Sequence, residues 1–178
     1  MGNDKSLVEA CIQNDRTAQR KLYELYASKL FAVTMRYMKN RSDAEDVLQE
    51  AWVKVFKNLE SFRFDCPLEA WIRRITINTA IRALKNRPDW SSHIDTEGLQ
   101  VEGSLGESGL EQLTWQELVS CIQALPDGCR MVFNLYAVEG YKHHEIATLL
   151  GITEGTSKSQ YFRAKALLQE KVNKSAVE

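Results

Sequence analysis

From Pro88 to Gly109 the chain reads PDWSSHIDTEGLQVEGSLGESG, a polar, acidic, Gly/Ser-rich stretch with no apolar period. It divides the 178 residues into segments 1–87 and 110–178, each long enough for one small domain. Outside it, apolar residues recur at three- and four-residue steps, and no alternating β pattern of useful length or internal repeat interrupts them. The fold expected is therefore all-α: two small helical domains joined by a flexible linker over residues 88–109. A flexible chain of that length has an r.m.s. span of about 25 Å and a fully extended reach of about 75 Å. Two domains so tethered can occupy separate sites.

The first segment predicts three helices. Over residues 18–38, Leu22, Leu25, Tyr26, Leu30, Val33 and Tyr37 form one apolar row. Ser42 followed by Glu45 predicts a capping box, and the helix after it aligns Val47, Leu48, Ala51, Trp52, Val55 and Leu59. Cys66-Pro67 breaks the chain, because a residue before proline avoids helical angles. A helix then runs from about Leu68 to Lys85, with Trp71, Ile75, Ile81 and Leu84 near one face, and ends before Arg87-Pro88. In the second segment a helical pattern resumes near Leu110, with Leu113, Leu118, Ile122 and Leu125. Leu125-Pro126-Asp127 is a turn, Val132, Leu135 and Tyr136 mark the next helix, and Gly140 ends it.

Net charge is −1, which taken alone points to no nucleic acid. Its distribution is uneven. Residues 61–87 hold six Lys/Arg against two acids, whereas residues 88–120 hold seven acids and no Lys/Arg. Such an acidic strap is repelled by duplex phosphate and drawn to basic channels. A plain solvated linker accounts for it equally well.

Cys11, Cys66, Cys121 and Cys129 form no CxxC, and with three His they complete no zinc spacing, so no metal or cofactor is expected. They read as free, buried thiols of a reducing cytoplasm. The N-terminus carries no secretory signal, and no apolar run approaches a bilayer span, so a soluble cytoplasmic protein without membrane insertion is expected. Paired catalytic carboxylates, a Gly-rich phosphate loop and a nucleophile with a partner base are all missing from the sequence, which argues against an enzyme and names no catalytic residue.

From Lys142 the sequence KHHEIATLLGITEGTSKSQYFRAKALLQEKV fits a helix-turn-helix. Ile146, Ala147 and Leu150 form the inner face of the first helix, Gly151 takes the positive-φ turn position, Ile152 fills the corner and Thr153 caps the second helix. The exposed side of that helix then offers Thr156, Lys158, Ser159, Gln160, Arg163 and Lys165 to a major groove. Ser157 stands where such motifs usually bury Val or Ile. His143 and His144, adjacent on a helix, diverge and suit surface or partner contact better than one shared ion.

Two features of residues 42–84 exceed what a helical domain needs. Asp46, Gln49 and Glu50 share a polar stripe opposite the apolar face, which is either a solvated surface or a dock for a basic partner. Phe62, Arg63, Phe64, Trp71, Arg73, Arg74, Asn78 and Arg82 mix aromatic and basic groups, as unpaired nucleic acid requires, with Phe62 and Trp71 also fitting a core role.

SDAEDVLQEAWVKVFKNLESF, FRFDCPLEAWIRRITINTAIRAL and LPDGCRMVFNLYAVEGYKHHEIATLLGITEGTSKSQYFRAKALLQEK, in this order, resemble bacterial RNA polymerase sigma factors of the extracytoplasmic-function group within the sigma-70 family. The resemblance implies region 2 in residues 1–87, region 4 in 110–178, and a sigma factor that directs core polymerase to promoters. It implies that Asp46, Gln49 and Glu50 face the polymerase clamp coiled coil. It places Phe64, Arg73, Arg74, Asn78 and Arg82 along the separated −10 strand. Thr156, Lys158, Ser159, Gln160, Phe162 and Arg163 then face the −35 duplex, with Arg163 the base reader. Further partners implied are the polymerase flap and an anti-sigma factor. Two departures bear on promoter preference: Cys66-Pro67 in the −10 loop, and Gln160 where Arg is common. The competing expectation is a stand-alone helix-turn-helix regulator with an N-terminal sensor or dimerisation domain.

Overall fold

The computed structural model describes residues 2–90 and 114–175, and what it describes is helical. Most of the 88–109 linker, and the start of the pattern at Leu110 and Leu113, lie outside the described residues. The chain separates into two compact units, Met1–Arg82 and Ala83–Glu178.

The first unit begins with α1 (Gly2–Ile12) and α2 (Arg16–Tyr37), joined by a turn in which Asp15 caps α2 by accepting from the Thr17 amide at 2.8 Å. Next is α3 (Arg41–Asn58), a short 3₁₀ turn (Leu59–Ser61) and α4 (Leu68–Lys85). α3 starts earlier than the sequence suggested. Asn40 is extended and its side chain accepts from the Asp43 amide at 2.8 Å, so it occupies the capping position assigned to Ser42. Glu45 pairs instead with Arg41 at 2.7 Å, and the expected capping box does not form.

The core of this unit gathers Val8 and Cys11 from α1, Ala18, Leu22 and Leu30 from α2, Leu48, Trp52 and Val55 from α3, and Leu68 and Ile72 from α4, with Leu59 and Phe62 closing the end. One expected member is missing. Leu25 is 51% exposed, because it sits at the edge of the arc traced by Ala18, Leu22, Val33 and Tyr37.

The second unit contains α5 (Trp115–Gln123), α6 (Asp127–Phe133), α7 (His143–Leu150) and α8 (Glu154–Ser175). α5 opens on a capping box in which Thr114 accepts from the Glu117 amide and the Glu117 carboxylate accepts from the Thr114 amide. α6 widens into a π-helical turn over Asn134–Val138, which leaves Leu135 buried and turns Tyr136 and Val138 out to solvent. Ile122, Leu125, Cys129, Ala164 and Leu168 form one apolar cluster, and Met131, Val132, Leu135, Ile146 and Leu150 are buried as well. Gly151 ends α7 at φ 73, and Gly140 has φ 77, so both conformations are those in which a Cβ is strained.

Two expectations about side chains change. Cys11 and Cys129 are buried free thiols, but Cys66 is exposed and Cys121 is half-buried. His143 is half-buried against Tyr136 and Ser157, while His144 is exposed. No described helix is long and apolar enough to cross a membrane.

Candidate nucleic-acid interfaces

α3 buries Val47, Leu48, Ala51, Trp52 and Val55, which forces Asp46, Gln49 and Glu50 outward together. The Glu50 carboxylate pairs with Lys54 at 2.7 Å, and the Lys54 ammonium also donates to the Thr79 hydroxyl of α4 at 3.2 Å. Val53, 52% exposed, lies one turn beyond Gln49 and extends this stripe with an apolar spot. Sequence reading passed over it, although a Val at a polar position of a 3.6 period is a legible signal.

On α4, Arg74, Asn78 and Arg82 are exposed at four-residue spacing and so share one stripe, while Arg73 is half-buried beside it. α4 turns its other side inward through Ile72, Thr76, Ile77, Ala80 and Leu84. The loop before α4 carries an aromatic ladder. Phe64 is 43% exposed, its ring lies 4.6 Å from buried Phe62, and Phe62 lies 5.2 Å from half-buried Trp71. Phe62 and Trp71 are therefore core and rim, and Phe64 is the ring open to solvent. Phe64 also holds φ 60, a conformation costing a bulky residue on the order of 1 kcal/mol or more. An exposed aromatic side chain presented by a strained backbone, beside a row of basic and amide groups, suits stacking on an unpaired base.

In the second unit, α7, the Gly151 turn and α8 make the helix-turn-helix. The Thr153 hydroxyl accepts from the Thr156 amide at 3.0 Å, capping α8 as its position suggested. Lys158 and Phe162 are exposed, and Thr156, Ser159 and Arg163 are half-buried. Lys158 pairs with Glu154 at 2.7 Å, a bond that holds the Glu154 carboxyl below its usual range. The Ser159 hydroxyl donates to the Thr156 carbonyl at 3.0 Å.

Gln160 departs from the expected exposed row. It is 1% exposed, and its carbonyl oxygen accepts from the Cys129 thiol of α6 at 2.9 Å. The buried face of α8 runs through Ser157, Gln160, Ala164 and Leu168, so the three- and four-residue steps of the helix turn position 160 inward. Ser157 is buried too, with its hydroxyl 2.9 Å from Nδ1 of His143. The His143 ring stacks on Tyr136 at 4.3 Å between centroids. Burial, with Lys158 adding to it, lowers the His143 pKa and favours the neutral ring.

Deeper in this unit, Arg130 is fully buried. Its guanidinium pairs with the Asp127 carboxylate at 2.6 Å and donates to the carbonyls of Leu125 at 2.8 Å and Gln123 at 3.2 Å. Sequence reading missed this pair. Its only trace is an Asp three residues before an Arg, where side chains meet on a helix.

Two family profiles match the chain, sigma-70 region 2 over residues 22–88 and sigma-70 region 4 over residues 115–168. The extracytoplasmic-function RNA polymerase sigma-E factor of Escherichia coli strain K12 is 33% identical over 180 residues, covering 95% of this chain and 94% of that protein. Two solved structures share the fold. The sigma factor RpoE bound to the anti-sigma factor NepR from Bartonella quintana is 23% identical, with a TM-score of 0.53 over 86% of this chain and 96% of that one. CnrH bound to the cytosolic domain of CnrY is 21% identical, with a TM-score of 0.51 over 96% and 97%.

These matches define a two-region transcription initiation factor rather than a lone helix-turn-helix regulator. The chain belongs to the extracytoplasmic-function sigma factors of the sigma-70 family. As such it directs core RNA polymerase to promoters.

Proposed function

We propose that the chain is a non-catalytic specificity subunit whose two units divide promoter recognition between them. In the first, Asp46, Gln49 and Glu50, with Val53, dock on the polymerase clamp coiled coil. Phe64 receives an unpaired −10 base, while Arg73, Arg74, Asn78 and Arg82 follow the same strand. In the second, Lys158, Ser159, Phe162 and Arg163 meet the −35 duplex, with Thr156 at the phosphate entrance. Gln160 has no direct role in this reading. The residue boundaries proposed are 1–87 for the polymerase- and −10-binding part, 88–109 for the connector and 110–178 for the −35-binding part.

The observation that carries this reading is the pairing of surfaces within one chain. An aromatic-basic face on α4 and the loop before it suits single strands, and an exposed polar helix in a helix-turn-helix suits a duplex. An anti-sigma partner, present in the RpoE structure, is proposed here by likeness. The chain acts where core polymerase and DNA are, in the bacterial cytoplasm.

Size-exclusion chromatography with purified core polymerase tests the first half of this reading, with co-elution expected and reduced when Asp46, Gln49 and Glu50 are replaced together by Lys. Run-off transcription from a randomised promoter library tests the second half. A stand-alone regulator would instead bind promoter duplex tightly by itself and leave core polymerase unbound.

A further inference from the structure

The buried face of α8 changes character along its length. Its C-terminal part rests on apolar contacts through Ala164 and Leu168. Its N-terminal part, with Lys158 and Phe162 exposed and Ser159 and Arg163 half-buried, packs Tyr161 on Phe133 and Tyr136 and places two buried polar residues, Ser157 and Gln160, on its inner face. The two are bonded to different elements. Gln160 accepts from Cys129 on α6 at 2.9 Å, and Ser157 lies 2.9 Å from His143 at the start of α7.

Apolar contact is non-directional and by itself specifies no donor–acceptor angle. A hydrogen bond is not so permissive, since it weakens steeply as its angle closes. A bidentate base contact is equally strict about the angle from which the side chain arrives. From these facts we infer that Cys129 and Gln160, supported by Ser157 and His143, form a polar clamp that fixes the roll of α8 and thereby sets which bases its outward side chains discriminate. This rests on the proposed −35 reading by α8 and adds positioning residues to it. None of the four touches DNA in this scheme.

The state of the groups supports the clamp. Burial pushes the Cys129 thiol up to about 11, so it stays protonated and able to donate. Neither Cys129 nor Gln160 is open to solvent, so neither is a surface contact that happens to lie near the motif.

The test separates positioning from stability. Removing one partner of a buried hydrogen bond leaves the other unsatisfied, whereas replacing both by apolar groups of similar shape is nearly neutral. The double variant Cys129→Ala, Gln160→Met should therefore melt near the parent temperature. Assembled with core polymerase and assayed by run-off transcription on a library randomised at −35 with a fixed −10, it should still initiate. Its preference for the best over singly substituted −35 sequences should fall by about tenfold. Cys129→Ser, which keeps a donor, should retain more of that preference than Cys129→Ala. A double variant with parental stability and parental −35 preference would overturn the clamp. If the double variant does not fold, equal preference in Cys129→Ser and Cys129→Ala overturns it instead. Arg163→Ala serves as the control. If it leaves the −35 profile unchanged, what has failed is the reading of −35 by α8, independently of the clamp.

Discussion

The two units bury polar groups differently. In the first, the buried threonines turn inward on their own helices: Thr34 donates to the Phe31 carbonyl, Thr76 to Ile72 and Thr79 to Ile75, with Thr79 also accepting from Lys54 of α3. The interfaces between its helices are made by Leu22, Trp52, Val55 and Ile72. In the second, beside bonds within α6 such as Arg130 to Asp127, buried polar bonds also run between elements. Arg130 ties α6 to the end of α5, Cys129 ties α6 to α8, and His143 ties the start of α7 to α8. The lesson concerns direction. Apolar area holds helices together without fixing an angle, whereas bonds between elements add a fixed direction to a core that also buries Met131, Val132, Leu135, Ile146 and Leu150.

This contrast can be broken most forcefully at Asp127. Asp127→Ala strands a buried guanidinium and should cost about 3–5 kcal/mol, read as a lowered denaturation midpoint of the second unit. Replacing Asp127 and Arg130 together by Leu and Met should cost much less. If the double change is as damaging as the single one, the pair is packing rather than electrostatics.

The mirror experiment in the first unit is Ile72→Ala. Ile72 is fully buried, so its truncation should cost about 2–5 kcal/mol through lost burial and the cavity left behind. Thr76→Val in the same helix should change little, since its hydroxyl bonds only to its own helix. A large loss there would erase the distinction between the units.

Gly151→Ala forces a Cβ into a left-handed conformation at the corner of the helix-turn-helix. It should cost about 1–2 kcal/mol by equilibrium denaturation, since the nearest atom a Cβ would meet, Lys85 Nζ at 3.9 Å, is at ordinary contact distance and adds no clash.

The smallest effect is in pH. Burial, then Lys158, lowers the folded-state pKa of His143, so the unfolded chain binds a proton more readily than the folded one. Its contribution to stability is present above the ordinary histidine value and is lost as pH falls through the folded value. Denaturation midpoints measured from pH 8 to pH 5 should decline, and His143→Gln should flatten the decline.

Much of the fold is legible in the order of residues. The breaks at Cys66-Pro67 and Arg87-Pro88 bracket α4, and Gly151 followed by Thr153 marks the corner and cap of the helix-turn-helix, because proline, glycine and capping side chains act on their own backbone. The start of α3 was harder, since Asn40 and Ser42 are both competent caps and only the path of the preceding chain selects between them. Asp46, Gln49 and Glu50, and Arg74, Asn78 and Arg82, were also readable, because a regular helix with one apolar face sends the rest outward.

What lay beyond the sequence is the identity of the polar residues that go inside. Gln160 looks like a member of a solvated row, Ser157 like a polar residue at an apolar position, and Arg130 like any surface cation. Only the packing of α8 against α6 and α7 gives Gln160 and Ser157 their partners, and only the approach of the end of α5 completes the bonds of Arg130, since a buried polar side chain needs a hydrogen-bond partner. Helix periodicity is set by neighbours in sequence and can be read there. The fate of Cys129, His143, Ser157 and Gln160 is set by neighbours in space, and the tertiary structure alone decides it.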